Sequence, residues 1–251
     1  MLIDTHCHLH DRGFFSAEQA EEMLARANKK GIEKIICIGT SHEDSLVACD
    51  FAKTHDNVYW VYGIHPENAL KTSRYNFPQS PIAIGEVGLD YHYGGYNREA
   101  QIKLFEEMLQ LAKNNNLPLV FHVREAFDDF FAVVNNFPEV RGVVHSFTDS
   151  KKVLKRILNE TDFYIGVNGL ATYSTLPTPP LERILLETDA PFLTPVPFRG
   201  IINEPSYIKE IAQWLSQKLT LDFEIIEKET TNNAERLFRF SDSVLRETRD
   251  L

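Results

Sequence analysis

Eight short apolar runs punctuate the chain: Leu2–Thr5, Lys34–Ile38, Tyr59–Tyr62, Ile82–Ile84, Pro118–Phe121, Gly142–Val144, Phe163–Gly166 and Arg183–Glu187. Helical patterns lie between most of them, at Ala17–Lys30, Asp44–His55, Arg98–Asn114, Ala126–Asn135, Ser150–Asn159 and Pro205–Gln217, and a last helix is predicted over Thr231–Phe240. Strands that alternate with helices favour a parallel sheet with covering helices. At 251 residues the chain has the usual size of an eight-stranded (β/α)8 TIM barrel. No linker, repeat or low-complexity tract divides it, so residues 1–251 are read as a single α/β barrel domain. Two βα connections look shortened. Little room exists for a helix between Gly63 and Pro81, and Pro177, Pro179 and Pro180 would break one between Gly169 and Leu181. The expected barrel is therefore a compact variant.

In such barrels the functional side chains collect at the carboxyl ends of the strands. Strand one runs into His6-Cys7-His8, and alternation of side chains along a strand puts both imidazoles on one face and Cys7 on the other. Strand three leads to His65-Pro66, strand four to Glu86 and on to Asp90, strand five to His122, strand six to His145 and strand eight to Asp189. A single histidine after a strand is usually a satisfied surface or core residue. Glu86 alone could be a loop carboxylate, and Asp189 could merely cap a turn. Taken together the pattern resists that reading, because clustered carboxylates and imidazoles are costly to bury unless paired or metal-bound. Imidazole suits zinc, iron, copper and nickel, and other divalent ions where carboxylates complete the site. Two metals fit the inventory better than one: His6, His8 and Asp189 can surround the first, His122 and His145 the second, with Glu86 giving one oxygen to each. Paired cations suit hydrolysis of phosphoesters. The competitor is a single-metal amidohydrolase in which one of these groups is a general base.

The formal net charge of -10 means that the surface as a whole repels nucleic acid, so a phosphate-bearing substrate needs a local basic cleft or bound cations. The three cysteines, Cys7, Cys37 and Cys49, show no zinc-knuckle or redox spacing and are read as reduced core residues. Asp4 and His6 interrupt the apolar start, so no secretory leader is read there, and no apolar run has membrane-spanning length. A soluble, cytoplasmic protein without a membrane partner is expected.

The ordered set Ile3-Asp4-Thr5-His6-Cys7-His8-Leu9, Gly63-Ile64-His65-Pro66, Gly85-Glu86-Val87-Gly88-Leu89-Asp90-Tyr91, Phe121-His122-Val123-Arg124, His145-Ser146-Phe147, Leu186-Glu187-Thr188-Asp189-Ala190-Pro191 and Asn203-Glu204-Pro205 resembles the TatD family of metal-dependent deoxyribonucleases, within the amidohydrolase-like barrel superfamily. Each motif alone is weak, but the order is specific and runs nearly end to end. The resemblance implies a distorted (β/α)8 barrel with two divalent ions, Mg2+, Mn2+ or Zn2+. By the family pattern His6, His8 and Asp189 hold one ion, His122 and His145 the other, and Glu86 bridges. It further implies hydrolysis of DNA, single-stranded or at an end and often from the 3′ terminus, with Asp189 placed to orient or deprotonate the attacking water and His65 reaching the substrate phosphate.

The chain departs from the family in its substrate-facing loops. Where relatives often carry His-Arg-Gly-Lys-Arg-Asn-Glu-Pro, it reads Phe198-Arg199-Gly200-Ile201-Ile202-Asn203-Glu204-Pro205. Arg199 remains as a possible phosphate clamp. The Lys-Arg pair has become Ile201-Ile202, which weakens the case for a long polynucleotide. His-Ser-Phe-Ser-Gly is here His145-Ser146-Phe147-Thr148-Asp149, adding a negative charge. Arg124 could hold a phosphate or pair with Glu125 or another acid, and Asn203 is carried over as a substrate-side residue. Asp90 could orient a ligand histidine. Tyr91, His92, Tyr93 and Tyr96 could stack on a base or simply pack, and Phe127, Phe130 and Phe131 at helical spacing are read as core.

Three functions follow. The first is a two-metal phosphodiesterase acting on DNA ends, a 3′-5′ exodeoxyribonuclease using metal-activated water, with a monomer expected. The second is a metal-dependent amide or ester hydrolase on the same barrel, aminoacyl-tRNA deacylation included, since fold alone does not decide the bond cleaved. The third, a metal-bound scaffold without turnover, is disfavoured by the complete ligand set.

Overall fold

The computed structural model describes residues 1–71, 77 and 81–240. Eight parallel strands follow one another in chain order: β1 (Leu2–Cys7), β2 (Ile32–Ile38), β3 (Val58–Val61), β4 (Ile84–Asp90), β5 (Leu119–Arg124), β6 (Gly142–Val144), β7 (Tyr164–Val167) and β8 (Ile184–Leu186). Their helices are α1 (Ala17–Lys29), α2 (His42–Lys53), α3 (Arg98–Asn115), α4 (Phe127–Val134), α5 (Lys151–Glu160), α6 (Ile208–Leu219) and α7 (Phe223–Phe238). Side chains start several of them as the residue types require: Ser16 accepts from the Gln19 amide in a capping box, and Ser41, Asn97 and Ser150 cap α2, α3 and α5.

Pairing is regular within two arcs, β1-β2-β3 and β4-β5-β6-β7-β8. Single parallel bridges join the arcs at Tyr62–Ile84 and Cys7–Ala190, so the barrel has two seams where the ladder is interrupted. Side chains reinforce the second seam. Thr188 donates its backbone N–H (2.9 Å) and its hydroxyl (2.6 Å) to the buried carboxylate of Asp4. The Thr5 hydroxyl donates to the Leu186 carbonyl at 2.9 Å.

Inside the barrel Ile3, Ile36, Ile38, Tyr59, Val61, Val120, Val143 and Leu185 form one cluster with Ala234, Leu237 and Phe238 of α7. The last helix thus closes the inner core. Asn233 fastens it by donating to the carbonyls of Leu181 and Ile184, both at 2.9 Å. Phe127, Phe130 and Phe131 are buried between sheet and helices, as their spacing predicts. Among the described residues no helix is long and apolar enough to cross a membrane.

The shortened connection after β7 is present, and the one after β3 holds no α-helix among its described residues. After β3 the described chain holds a 3-10 turn at Pro66–Asn68, with residues 72–76 and 78–80 of that connection outside the described residues. After β7 come 3-10 turns at Gly169–Tyr173 and Leu181–Arg183, separated by the proline run. Two boundaries differ most from expectation. β4 begins at Ile84 and runs through Glu86 to Asp90, residues expected beyond the strand. The glycines that read as a loop serve close packing: a Cβ on Gly88 would lie 2.1 Å from the His122 carbonyl oxygen. The last helix begins at Phe223 rather than Thr231, because its acidic, Lys-containing first half covers a core face only through residues such as Ile226 and Thr230.

Candidate metal centre

His6 and His8 do share one face of β1, although the register slips between Asp4 and Cys7. Their Nε2 atoms are 3.3 Å apart, and Cys7 between them is fully buried on the opposite side. Asp189 lies just past β8, where its backbone N–H donates to the His6 carbonyl at 2.8 Å. Its φ of 59° is left-handed, which a short polar side chain tolerates best after glycine. This turn places Asp189 Oδ1 3.5 Å from His6 Nε2 and 3.6 Å from His8 Nε2. Glu86, buried in β4, faces both groups of histidines. Its Oε2 is 3.6 Å from His6 Nε2, while its Oε1 is 2.6 Å from His122 Nδ1 and 3.6 Å from His145 Nε2.

These donor atoms fit a metal site. Nitrogen and oxygen ligands at about 2.1 Å from a tetrahedral cation stand about 3.4 Å apart, and separations of 3.3 to 3.9 Å recur across the His6, His8, His145, Glu86 and Asp189 atoms. The reverse sides of the rings agree. His8 Nδ1 lies 3.0 Å from the Ile38 carbonyl, which can only accept, so Nδ1 carries the proton and Nε2 presents its lone pair inward. His145 Nδ1 is 3.1 Å from Glu187 Oε1, and His122 Nε2 is 2.9 Å from Asp90 Oδ2. His6 Nδ1 is buried with no hydrogen-bond partner, so only its Nε2 engages the cluster.

The electrostatics favour positive charge here. Burial depresses the His145 imidazole, yet Glu187, Glu86 and Asp189 outweigh it and push it up to about 10. His122 is likewise depressed by burial but carried up to about 9 by Asp90 and Glu86. His6 goes the other way, lowered by burial and then by His145.

Two buried carboxylates, Asp90 and Glu187, stand behind the histidines. Asp90 was expected to orient a histidine, and it lies against His122. Glu187 read merely as a strand end, but its 1% exposure and its position against His145 make it the counterpart of Asp90 on the other side of the cluster. The only signal was a second acid two residues before Asp189.

An open cavity of about 860 Å3 lies over the cluster, lined among others by His8, Glu86, Asp90, His122, His145 and Asp189. His65 and Arg124 line it as well. His65 Nδ1 accepts from the Glu67 backbone N–H at 3.3 Å, leaving the proton on Nε2. Burial, and then the neighbouring His122, hold its pKa down at about 4, so the ring is a neutral donor. Arg124 does not pair with Glu125, which is 2.7 Å from His92; its guanidinium donates to Tyr93 Oη at 3.3 Å. The other two expected substrate contacts are not brought to the cavity. Arg199 lies 4.0 Å over the Tyr173 ring. Asn203 is fully buried and spends both amide hydrogens on the carbonyls of Thr188 (2.8 Å) and Phe192 (2.6 Å), which makes it a brace for the loop after β8. Tyr91 and Tyr96 stack on each other, 4.5 Å apart at 9°, and neither lines this cavity.

This arrangement of fold and ligands agrees with known proteins. A model of the TatD related DNases matches residues 3–239. The chain belongs to the TatD family. The membership places it among metal-dependent hydrolases. An uncharacterized metal-dependent hydrolase of Bacillus subtilis, YabD, is 34% identical over 258 residues, covering 96% of this chain and 100% of the relative. The 3′-5′ ssDNA/RNA exonuclease TatD of Cronobacter sakazakii is 31% identical, with 87% of this chain and 91% of that protein covered. Among solved structures, the TatD homologue YJJV of Escherichia coli superposes with a TM-score of 0.84 at 29% identity, covering 96% and 98% of the two chains.

Proposed function

We propose that this TatD-family chain hydrolyses phosphodiester bonds at the ends of DNA strands, in the 3′-5′ direction, with two divalent ions of the Mg2+, Mn2+ or Zn2+ class. The observation that carries the reading is Glu86, whose one oxygen faces His6 and whose other faces His122 and His145. A carboxylate so divided joins two ligand groups, His6-His8-Asp189 and His122-His145. Cations held there would activate water and stabilise the attacking and leaving oxygens of an in-line displacement. Asp189, with one oxygen near both His6 and His8, orients the attacking water and can accept its proton. The neutral His65 donates from Nε2, and Arg124 supplies the cationic contact to the phosphate. The name of the Cronobacter sakazakii relative supports a 3′-terminal nucleic-acid substrate.

A second reading, amide or ester hydrolysis, is favoured by one observation. Arg124 is the only Arg or Lys lining the cavity among the described residues, against Asp11, Glu67, Glu86, Asp90 and Asp189. That surround suits a short or weakly anionic substrate better than a long polyanion. The test is a panel of single-stranded DNA with a free 3′ end, a generic phosphodiester and acyl esters including aminoacyl-tRNA, with the Glu86→Ala variant as control. Metal-dependent shortening of the DNA, lost in the folded variant together with bound metal, is expected. Turnover of the acyl esters alone would replace the first reading by the second.

A further inference from the structure

Phe14 and Phe192 stand on the loops that leave β1 and follow β8, beside the residues that supply His6, His8 and Asp189. Their rings meet edge to face, 5.1 Å apart at 84°, and the Phe192 and His8 rings are likewise steeply inclined, 6.4 Å apart at 67°. Of the 17 phenylalanines, these two alone are exposed, at 49% and 46%. Both line the cavity over the ligand cluster. Exposure of two phenyl rings forgoes the burial that the other phenylalanines obtain, and here it is confined to the mouth of the site.

We infer that the Phe14–Phe192 pair is a stacking subsite for the nucleobase of the terminal nucleotide whose phosphate reaches the Glu86 cluster. This rests on the phosphodiesterase reading above and adds what part of the substrate is recognised. In an edge-to-face pair, the ring that presents its edge keeps both faces free, and a nucleobase offers a flat π surface of matching size. Stacking of this kind accepts any base, so it selects for an unpaired nucleotide without reading sequence. The third exposed aromatic in the cavity, Tyr93, is less available, because the Arg124 guanidinium lies 5.2 Å over its ring. The pair also compensates for a sparse cationic surround, since ring stacking does not depend on charge. Phe192 is held in place from behind: its carbonyl accepts from the buried Asn203 at 2.6 Å, and its backbone N–H donates to Asp189 at 2.8 Å. The subsite and Asp189 therefore belong to one braced turn.

The test compares kcat/KM of the metal-loaded full chain on a short single-stranded oligonucleotide ending in a 3′ nucleobase with that on the same oligonucleotide ending in an abasic residue. Wild type is expected to prefer the base-bearing end by about tenfold, the usual scale of one base–aromatic stack. Phe192→Ala should bring that ratio close to one, and Phe192→Tyr should restore it. A wild-type ratio near one, or a ratio that Phe192→Ala leaves in place, would overturn the subsite while leaving the phosphodiesterase reading intact. If wild type cleaves neither oligonucleotide but turns over acyl esters, the phosphodiesterase reading falls and takes the subsite with it.

Discussion

His122 Nε2 lies 2.9 Å from the Asp90 carboxylate, which fixes the ring with Nδ1 toward Glu86. Carboxylates behind ligand histidines raise their basicity and set their orientation, and their loss commonly costs about 10- to 100-fold in metal affinity. Asp90→Asn, which keeps size and strand geometry, should weaken metal binding within that range. Competition titration against a chromophoric chelator measures it, with circular dichroism confirming the fold. Unchanged affinity would remove Asp90 from the support of the site.

A second prediction concerns pH. His10 Nε2 is 3.2 Å from Asp44 Oδ1. Burial disfavours charge on His10, but Asp44 and Cys37 outweigh it and raise its pKa from 6.5 to about 9. Burial also opposes charge on Asp44, yet His10 and Thr40 lower it from 3.8 to about 2. The histidine's share of the stabilisation is complete below pH 6.5 and is lost as pH rises through about 9. The aspartate's share is complete above pH 3.8 and is lost as pH falls through about 2. Asp44→Asn should therefore destabilise most near pH 5.5, roughly mid-plateau, and less at about pH 9.5. Urea unfolding of both proteins at the two pH values reads this. A gap that widens at the higher pH would contradict the pairing.

The third prediction addresses charge. With Arg124 as the cavity's cation, few counterions are displaced, and the logarithm of kcat/KM on single-stranded DNA should fall with the logarithm of salt at a slope of about -0.7 to -1.4. Ile201 and Ile202 are 55% and 56% exposed, so Ile201→Lys with Ile202→Arg should leave the fold intact. Neither lines the cavity, so a slope steeper by about 0.7 to 1.4 in the pair would mean that the bound strand runs over this loop. A wild-type slope beyond about -3 would show phosphate contacts that this cavity does not contain.

Much of the site was legible because strand periodicity and barrel geometry are strong constraints. His6 and His8 had to share a face, and the ends of parallel strands had to converge, so six candidate ligands could be named, and the structure brings their side chains near one another. What stayed hidden depended on backbone contacts without a pattern in residue type. Gly85 and Gly88 look like loop residues, yet β4 continues through them because their lack of a side chain lets it lie close to β5. Asn203 and Arg199 have polar ends suited to a substrate, but two carbonyls and the Tyr173 ring had already claimed them. Glu187 and the Phe14–Phe192 pair gain their meaning only from neighbours far away in the chain.

The inner core is completed by Ala234, Leu237 and Phe238, and the strand that bears His6 and His8 is joined to the loop bearing Asp189. Synthesis proceeds in the opposite sense. His6 and His8 are made long before Asp189, and they wait for it while most of the strands between them are still to be made. Contacts so distant in sequence form late and slowly. The candidate site should thus be assembled near the end of folding, after the strands that separate its residues in sequence have been laid down.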